Sequence, residues 1–313
     1  MSEDIYSNQL AEEFLPGVMY PFHWSVLAGM VDASWCRISR DLRVEGGEVQ
    51  FVRTFYHHAY WNITKISAML KVAGLPQTVL DRLFEAPFSR ELEILDEASV
   101  DRVLTVDRSA IVQDLEQSIL ESERRIEEVQ RKKGDRETED EIVRELDLII
   151  DIIGEVIFRE TSAWLLVGLN LSLLDEWTGH QKENRRKRSH PADIVQLPES
   201  KLEEVRSMAN RYRSHWELSR MVRTIGKGLA EERLYELGER FVKWNLLRIK
   251  EDVRYLTVHE VRQIVSGGCA TNTCNNYALR ARVRRTEIDE HSVGELPPFI
   301  KGEVAPLLPW KKE

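Results

Sequence analysis

The chain has 313 residues, with 44 Lys plus Arg against 53 Asp plus Glu, a net charge of −9 at pH 7. With 42% hydrophobic and 31% charged residues, its composition is that of a globular protein with a sizeable core and not of a disordered chain. The acidic balance disfavours a general nucleic-acid binder, which needs a basic face, and three cysteines exclude a disulfide scaffold.

The opening MSEDIYSNQLAEEF is acidic and has no apolar signal core, so the expected location is the cytoplasm. Pro16, Gly17 and Pro21 mark a turn before the run Trp24 to Leu42, and Gly46-Gly47 marks a second. The apolar pattern resumes from Val49 to Leu70, where Gly74-Leu75-Pro76 stops it, and Gln77 to Phe84 reads as a short amphipathic helix. Cys36, beside Trp35, is expected in the core.

Two long helices follow. Ile111, Leu115, Ile119, Ile126 and Val129 recur near helical spacing, Lys133-Gly134-Asp135 is the expected turn, and the next helix runs from about Glu139 to Trp177. Its uncharged stretch Thr161 to Leu174 is 14 residues long, too short for about 30 Å of hydrocarbon, and reads as a buried core helix. Asp147, Asp151 and Glu155 share one face. A solvated face is the expectation there, because no His joins the spacing to complete a metal site.

Gly179, the basic run Arg185-Arg186-Lys187-Arg188, Pro191 and Pro198 indicate a loop over 179–198, solvated or touching a nucleotide or partner. Residues 199–250 read as a helical pair with apolar stripes such as Met208, Tyr212, Trp216, Leu234 and Phe241. Thr257, with Glu260 three residues on, signals a capping box for a helix over Val258 to Val265 that Gly267-Gly268 ends. A last helix spans about Asn276 to Glu290, and Pro297-Pro298 starts an extended tail. Alternating β-branched patterns and Asn-Gly or Asp-Gly hairpin signals are lacking. The expected fold is therefore all-α, an elongated multi-helix bundle with long antiparallel helices. Its expected parts are an aromatic-rich region over 1–100, the long-helix bundle over 101–265, and a C-terminal helix and tail over 266–313.

The catalytic motifs that hold nucleotides or covalent intermediates are missing. The sequence contains no GxxxxGK[ST] or GxGxxG phosphate loop, no GxSxG elbow, no kinase signature and no HExxH. His57 and His58 are adjacent, so from a helix they could not chelate one metal, and Cys269 and Cys274 make only a weak CxxxxC signal. No metal is expected on the chain. A reactive group used here must come from elsewhere.

Five segments together resemble the central region of the phosphoenolpyruvate-synthase-like phosphotransferases, the broad group that includes rifampicin phosphotransferase and phenylphosphate synthase. Pro16-Gly17-Val18-Met19-Tyr20-Pro21-Phe22-His23-Trp24-Ser25-Val26-Leu27 is similar to that region's PG-x-x-x-P-x-x-x-S-x-L opening. Phe55-Tyr56-His57-His58-Ala59-Tyr60-Trp61-Asn62-Ile63 resembles its FYGRAYLN stretch, with His57-His58 in place of Gly-Arg. Asn210 through Arg223 resembles an Arg-rich helix, and Asp252 through Val261 resembles DVFYLTLDEL. Leu279 to Arg285, followed by Leu296 to Gly302, resembles the closing Arg-rich helix and PPxIxG. The resemblance spans residues 16 to 302. It implies that ATP phosphorylates a histidine on a mobile domain, which swings to the central region and passes the phosphoryl group to an acceptor bound there. The ATP-grasp and phosphohistidine domains would then be partner subunits, ATP and Mg would bind on a partner, and this chain would hold no cofactor.

The residues themselves show where an acceptor would sit. Nine of the chain's 25 aromatic side chains lie between Tyr20 and Trp61, with His, Arg and Asn interleaved. An aromatic-lined hollow with a few convergent polar groups suits a small aromatic or apolar acceptor; the alternative is that these aromatics belong to the core and the histidines satisfy buried carbonyls. Transfer to a hydroxyl needs a base, for which His57 or His58 is the candidate, and a cation for the phosphoryl oxygens, for which Arg53 or Arg82 is the candidate. Tyr20, Pro21, His23, Trp24, Tyr56, Tyr60 and Asn62 complete the expected binding set. Two other readings stay open. One is a non-catalytic interaction or regulatory subunit that retains the helical scaffold. The other is an RNA or nucleotide contact through Arg185 to Arg188 and Arg280 to Arg285.

Overall fold

The computed structural model describes residues 4–44, 50–75, 77–84, 115–131, 138–186, 199–267, 271–291 and 296–302. Lys187, Arg188 and Cys269, the side chains of Arg82, Arg185, Arg186 and Cys274, and the turns expected at Gly46-Gly47 and Lys133-Gly134-Asp135 lie outside the described residues. About 78% of the described residues are α-helical, and the protein is an all-α, multi-helix bundle with one minor sheet.

The bundle is built on two long helices, α6 (Glu139–Arg186) and α7 (Glu199–Lys243). At a rise of 1.5 Å per residue, each spans on the order of 70 Å. Ion pairs fix their direction: Glu139 meets Arg240, Glu145 meets Arg233 and Glu160 meets Arg223. Rising numbers on α6 meet falling numbers on α7, so the two are antiparallel. A third helix, α5 (Leu115–Arg131), joins them in the same manner, with Arg125 on Glu155 at 3.0 Å and Ser122 hydrogen-bonded to Arg159. Leucine, isoleucine and valine from all three helices fill the interior.

The helix expected from Trp24 begins at Pro21 and the last helix at Thr271, each a few residues earlier than expected, and both long helices differ from the sequence expectation. The stretch read as a helical pair over 199–250 is one helix to Lys243, and α6 continues through Gly179 to Arg186. Gly226 sits mid-helix because α7 approaches α6 closely there. A Cβ at that position would lie 3.0 Å from Ile153 Cγ1, so the glycine serves packing and does not break the helix.

The aromatic-rich part lies against this bundle. Helix α1 (Asn8–Phe14) precedes α2 (Pro21–Asp41), which starts with Pro21 in its first turn, where a missing N–H costs nothing. The guanidinium of Arg37 on α2 stacks 3.9 Å over the Phe158 ring of α6. The pattern from Val49 to Leu70 is not one helix. It forms a hairpin, β2 (Val52–Phe55) and β3 (His58–Asn62), followed by α3 (Ile63–Val72). Asn62 ends the strand and caps α3, accepting the Lys65 N–H at 3.0 Å. Helix α4 (Gln77–Phe84) follows as expected.

The hairpin joins a four-stranded antiparallel sheet in the order β2-β3-β1-β4, where β1 is Ile5–Ser7 and β4 is Phe299–Lys301. Tyr6 is paired with both Asn62 and Ile300, so the two ends of the described chain lie side by side. Asp32 of α2 accepts the Phe51 and Val52 N–H groups at 2.7 and 3.1 Å and ties the hairpin to the bundle. A 3₁₀ turn (Lys250–Tyr255), α8 (Val258–Val265) and α9 (Thr271–His291) complete the described elements. The expected capping box is present. Thr257 Oγ1 accepts the Glu260 N–H at 3.2 Å, and Glu260 Oε2 accepts the Thr257 N–H at 2.8 Å. A single apolar cluster contains residues from Ala11 to Ile288. The acids Asp147, Asp151 and Glu155 remain at the surface, with Asp147 paired to Arg262 and Glu155 to Arg125.

Candidate functional site: a groove at the hairpin turn

The β2–β3 connection has only two residues, Tyr56 and His57, because Phe55 pairs directly with His58. Both turn residues have positive φ, 52° and 59°. A type I′ turn demands this backbone, and Asn-Gly is its usual solution. Tyr and His adopt it at a steric cost of about 1–2 kcal/mol each. The turn is held from outside by Met19, whose N–H donates to the His57 carbonyl at 2.6 Å.

That contact closes one side of an open groove of about 230 Å3. Met19 comes from the segment just before α2, Pro21, Trp24 and Ser25 from the start of α2, Thr54 and His57 from the hairpin, Thr257 from the α8 cap and Arg284 from α9. The walls are firmly held. Ser25 Oγ donates to the Phe22 carbonyl at 2.8 Å and accepts the Val258 N–H at 2.9 Å, stitching α2 to α8. Arg284 donates to the Tyr255 carbonyl at 2.8 Å and to both oxygens of Glu260 at 2.7 and 3.2 Å. Burial alone would raise the Glu260 carboxyl. Hydrogen bonds from Arg284, the Thr257 N–H and Arg280 overcome this and bring it to about 2.

His57 is the groove's titratable group. Its Nε2 lies 3.2 Å from His291 Nδ1 at the end of α9. Burial lowers its pKa, as do the nearby His291 and His58, while Glu287 opposes them. The imidazole is therefore neutral at pH 7 and able to take a proton.

The remaining expected residues fall into different places. His58 is half-buried on β3, with Nδ1 lacking a hydrogen-bond partner among the described residues. Burial lowers its pKa against the influence of Glu12. Tyr20 caps α2 beside the groove. Its ring meets Tyr255 edge-on at 5.4 Å and carries the Arg254 guanidinium at 4.4 Å. Arg53 hydrogen-bonds Gln50 and stands 5.8 Å over the Tyr6 ring, on the sheet. Tyr60 is fully buried and donates to the Pro297 carbonyl at 3.0 Å, and burial raises its pKa. Asn62 is fully buried in capping α3 and in donating to Asp4. Trp35 and Trp61 pack edge-on at 5.5 Å in the core. Tyr56 packs against the small cluster of Tyr6, Phe55, Tyr60 and Ile300.

His23 sits deeper, at a second cavity of about 30 Å3 lined by Phe14, Leu15, Met19, Phe22, Lys227 and Arg223 among others. That is room for one or two waters. His23 Nε2 is 3.5 Å from Glu231 and has no hydrogen-bond partner among the described residues. Burial, and then the charges of Lys227 and Arg254, lower its pKa to about 4. The adjoining Arg223 is itself neutralised by Glu160, at 3.0 Å.

Several groove residues were not expected in the acceptor site: Met19, Ser25, Thr54, Thr257, Arg284 (named as a contact only within the Arg280 to Arg285 stretch of the nucleotide reading) and, beside them, His291. Ser25 and Arg284 stand in two of the five resembling segments, and Thr257 was visible as a helix cap. Nothing in the local pattern could reveal His291, which is 234 residues from its partner. Comparison with protein-family models and with curated protein sequences finds no match.

Proposed function

We propose that this protein is the central subunit of a split ATP-dependent phosphotransferase of the phosphoenolpyruvate-synthase-like kind. It binds the phosphoryl acceptor and docks a partner's phosphohistidine domain. One observation carries this reading. Four of the five resembling segments, far apart in sequence, each contribute to a single open groove: Met19 to Ser25, His57, Thr257 and Arg284. The fifth contributes Arg223 to the cavity behind it. Residues brought together this way from distant segments are typical of binding sites.

In this reading His57, neutral and at the groove wall, accepts the proton of the acceptor hydroxyl as the phosphoryl group arrives. Trp24, Pro21 and Met19 provide the apolar surface for the acceptor, and Arg284 lies on the side where phosphoryl charge develops. A groove of about 230 Å3 is smaller than drug-sized sites, which run about 300–1,000 Å3, so the acceptor is a small molecule. ATP, Mg and the energised histidine reside on the partners.

The test is reconstitution. The chain alone should not turn over ATP, and phosphoryl transfer to a small hydroxylic acceptor should appear on adding an ATP-grasp subunit and a phosphohistidine subunit. Trp24→Ala and His57→Ala should each lower that transfer at least tenfold. Unchanged transfer in both variants would favour the second reading, a non-catalytic scaffold or regulatory subunit. That reading draws on the full engagement of Glu260 by Arg284, as in a structural ion pair.

A further inference from the structure

The pairing of His57 with His291 has a geometry that suits more than a hydrogen bond. Zinc–nitrogen bonds of about 2.0–2.1 Å at the tetrahedral angle set two ligand nitrogens about 3.3–3.4 Å apart. His57 Nε2 and His291 Nδ1 are 3.2 Å apart. By the same geometry the two ring centroids would be about 5.2 Å apart, and here they are 5.3 Å apart with the planes inclined by 34°.

A plain imidazole–imidazole hydrogen bond accounts for the same distance, and the surroundings are compatible with a cation as well. His291 closes α9, and the turn before it carries Glu287, Asp289 and Glu290. Arg285 lies 3.9 Å from Asp289, and the negative charge of Glu287 acts on His57, so the end of α9 is a place where added positive charge is favoured. On the other side, His57 is held beside His291 by a strained left-handed turn that a smaller residue would adopt more easily. Such strain is retained where the surrounding structure gains from that side chain's position. The pair is also at the surface, open to an ion from solvent.

We propose that His57 and His291 form a two-histidine site for a borderline divalent cation, with zinc(II) the best fit and copper(II) and nickel(II) as competitors. Imidazole nitrogen is the ligand these ions prefer over calcium or magnesium. Among the described residues no group of three His, Cys, Asp or Glu stands together. The protein therefore supplies two ligands and leaves the other coordination positions to water or to a small anion from the adjoining groove. The site links the hairpin to the end of α9. A metal on His57 Nε2 occupies the imidazole that the proposed transfer uses as its base, so the two roles are alternative states of one residue, and metal binding is measured apart from transfer.

The experiment is equilibrium dialysis of the full chain against zinc chloride, together with absorption spectra of the cobalt(II)-loaded protein. His57→Asn and His291→Asn are the variants, and His259→Asn on α8 is the control. Asn suits the left-handed backbone at position 57, and circular dichroism verifies that each variant is folded. The expected result is one zinc per wild-type chain, bound at least tenfold more weakly in each of the two site variants and unchanged in the control. The cobalt(II) bands should also be lost in both site variants. Zinc affinity and cobalt(II) bands that survive both substitutions, or no zinc bound by the wild type, would overturn the site and leave the pair as a hydrogen bond.

Discussion

Glu260→Gln is the most informative single change, because one carboxylate holds the α8 cap and two arginines of α9. It completes the α8 capping box, receives Arg284 through two hydrogen bonds and receives Arg280 through a third, at 3.0 Å. Glu260 is only 6% exposed, so these interactions are weakly screened. Its carboxyl falls from an ordinary 4.5 to about 2 in the folded protein, which corresponds to about 3 kcal/mol of stability. The folded pKa is depressed, so the contribution is fully present above about pH 4.5 and is lost as the pH falls toward 2. Glutamine keeps the shape and one acceptor but not the charge. The variant should therefore unfold at lower urea with a loss of about 3 kcal/mol at pH 7, and the gap to wild type should shrink to roughly half by pH 3. The assay is urea denaturation followed by circular dichroism across pH 3–7. A loss that stays constant over that range, or one below about 0.5 kcal/mol at pH 7, would refute the claim that the charged carboxylate holds the two arginines.

Three other outcomes follow from the same structure. Arg223→Ala should cost about 3–5 kcal/mol in chemical denaturation by removing the cation that faces the buried Glu160 carboxylate, while replacing Arg223 and Glu160 together with methionine should restore most of it. At Gly238 a Cβ would collide with the Lys250 carbonyl oxygen and lie 3.1 Å from Val253 Cγ1, whereas at Gly228 it meets nothing within 4 Å. Thermal melts should accordingly show Gly238→Ala destabilised by about 2 kcal/mol or more and Gly228→Ala stabilised by about 0.5–1 kcal/mol. His23 is neutral in the fold down to about pH 4 but titrates near 6.5 when unfolded. Wild-type stability should therefore fall by up to about 3 kcal/mol between pH 6.5 and 4. His23→Phe should remove that slope, and an unchanged slope in the variant would assign it to other groups.

Much of the helical scaffold was legible in the sequence, because the signals that make helices are local. The Thr257–Glu260 capping box and the helical spacing of apolar residues act over three or four residues, and each appears where its chemistry places it. The length of α7 was not legible. Gly226 resembles a break in isolation and becomes a packing device only once Ile153 of α6 lies against it. The hairpin was hidden for a related reason. Tyr56-His57 is a poor turn sequence, and its conformation is maintained by Asp32, Met19 and the neighbouring strands.

The site divides along the same line. His57, Pro21 and Trp24 could be singled out from composition and resemblance, and all three line the groove. Of the other expected residues, Tyr60 and Asn62 are spent on internal hydrogen bonds that no local pattern announces. By itself the sequence determined an all-α chain without a phosphate-cradling loop, because helical periodicity, caps and motif spacings are properties of neighbouring residues. Only the tertiary structure decided that the two ends of the described chain share a sheet, that Arg284 faces the start of α2 and that His57 meets His291. Those contacts join residues tens to hundreds of positions apart, and their free energy exists only after the intervening chain has been ordered.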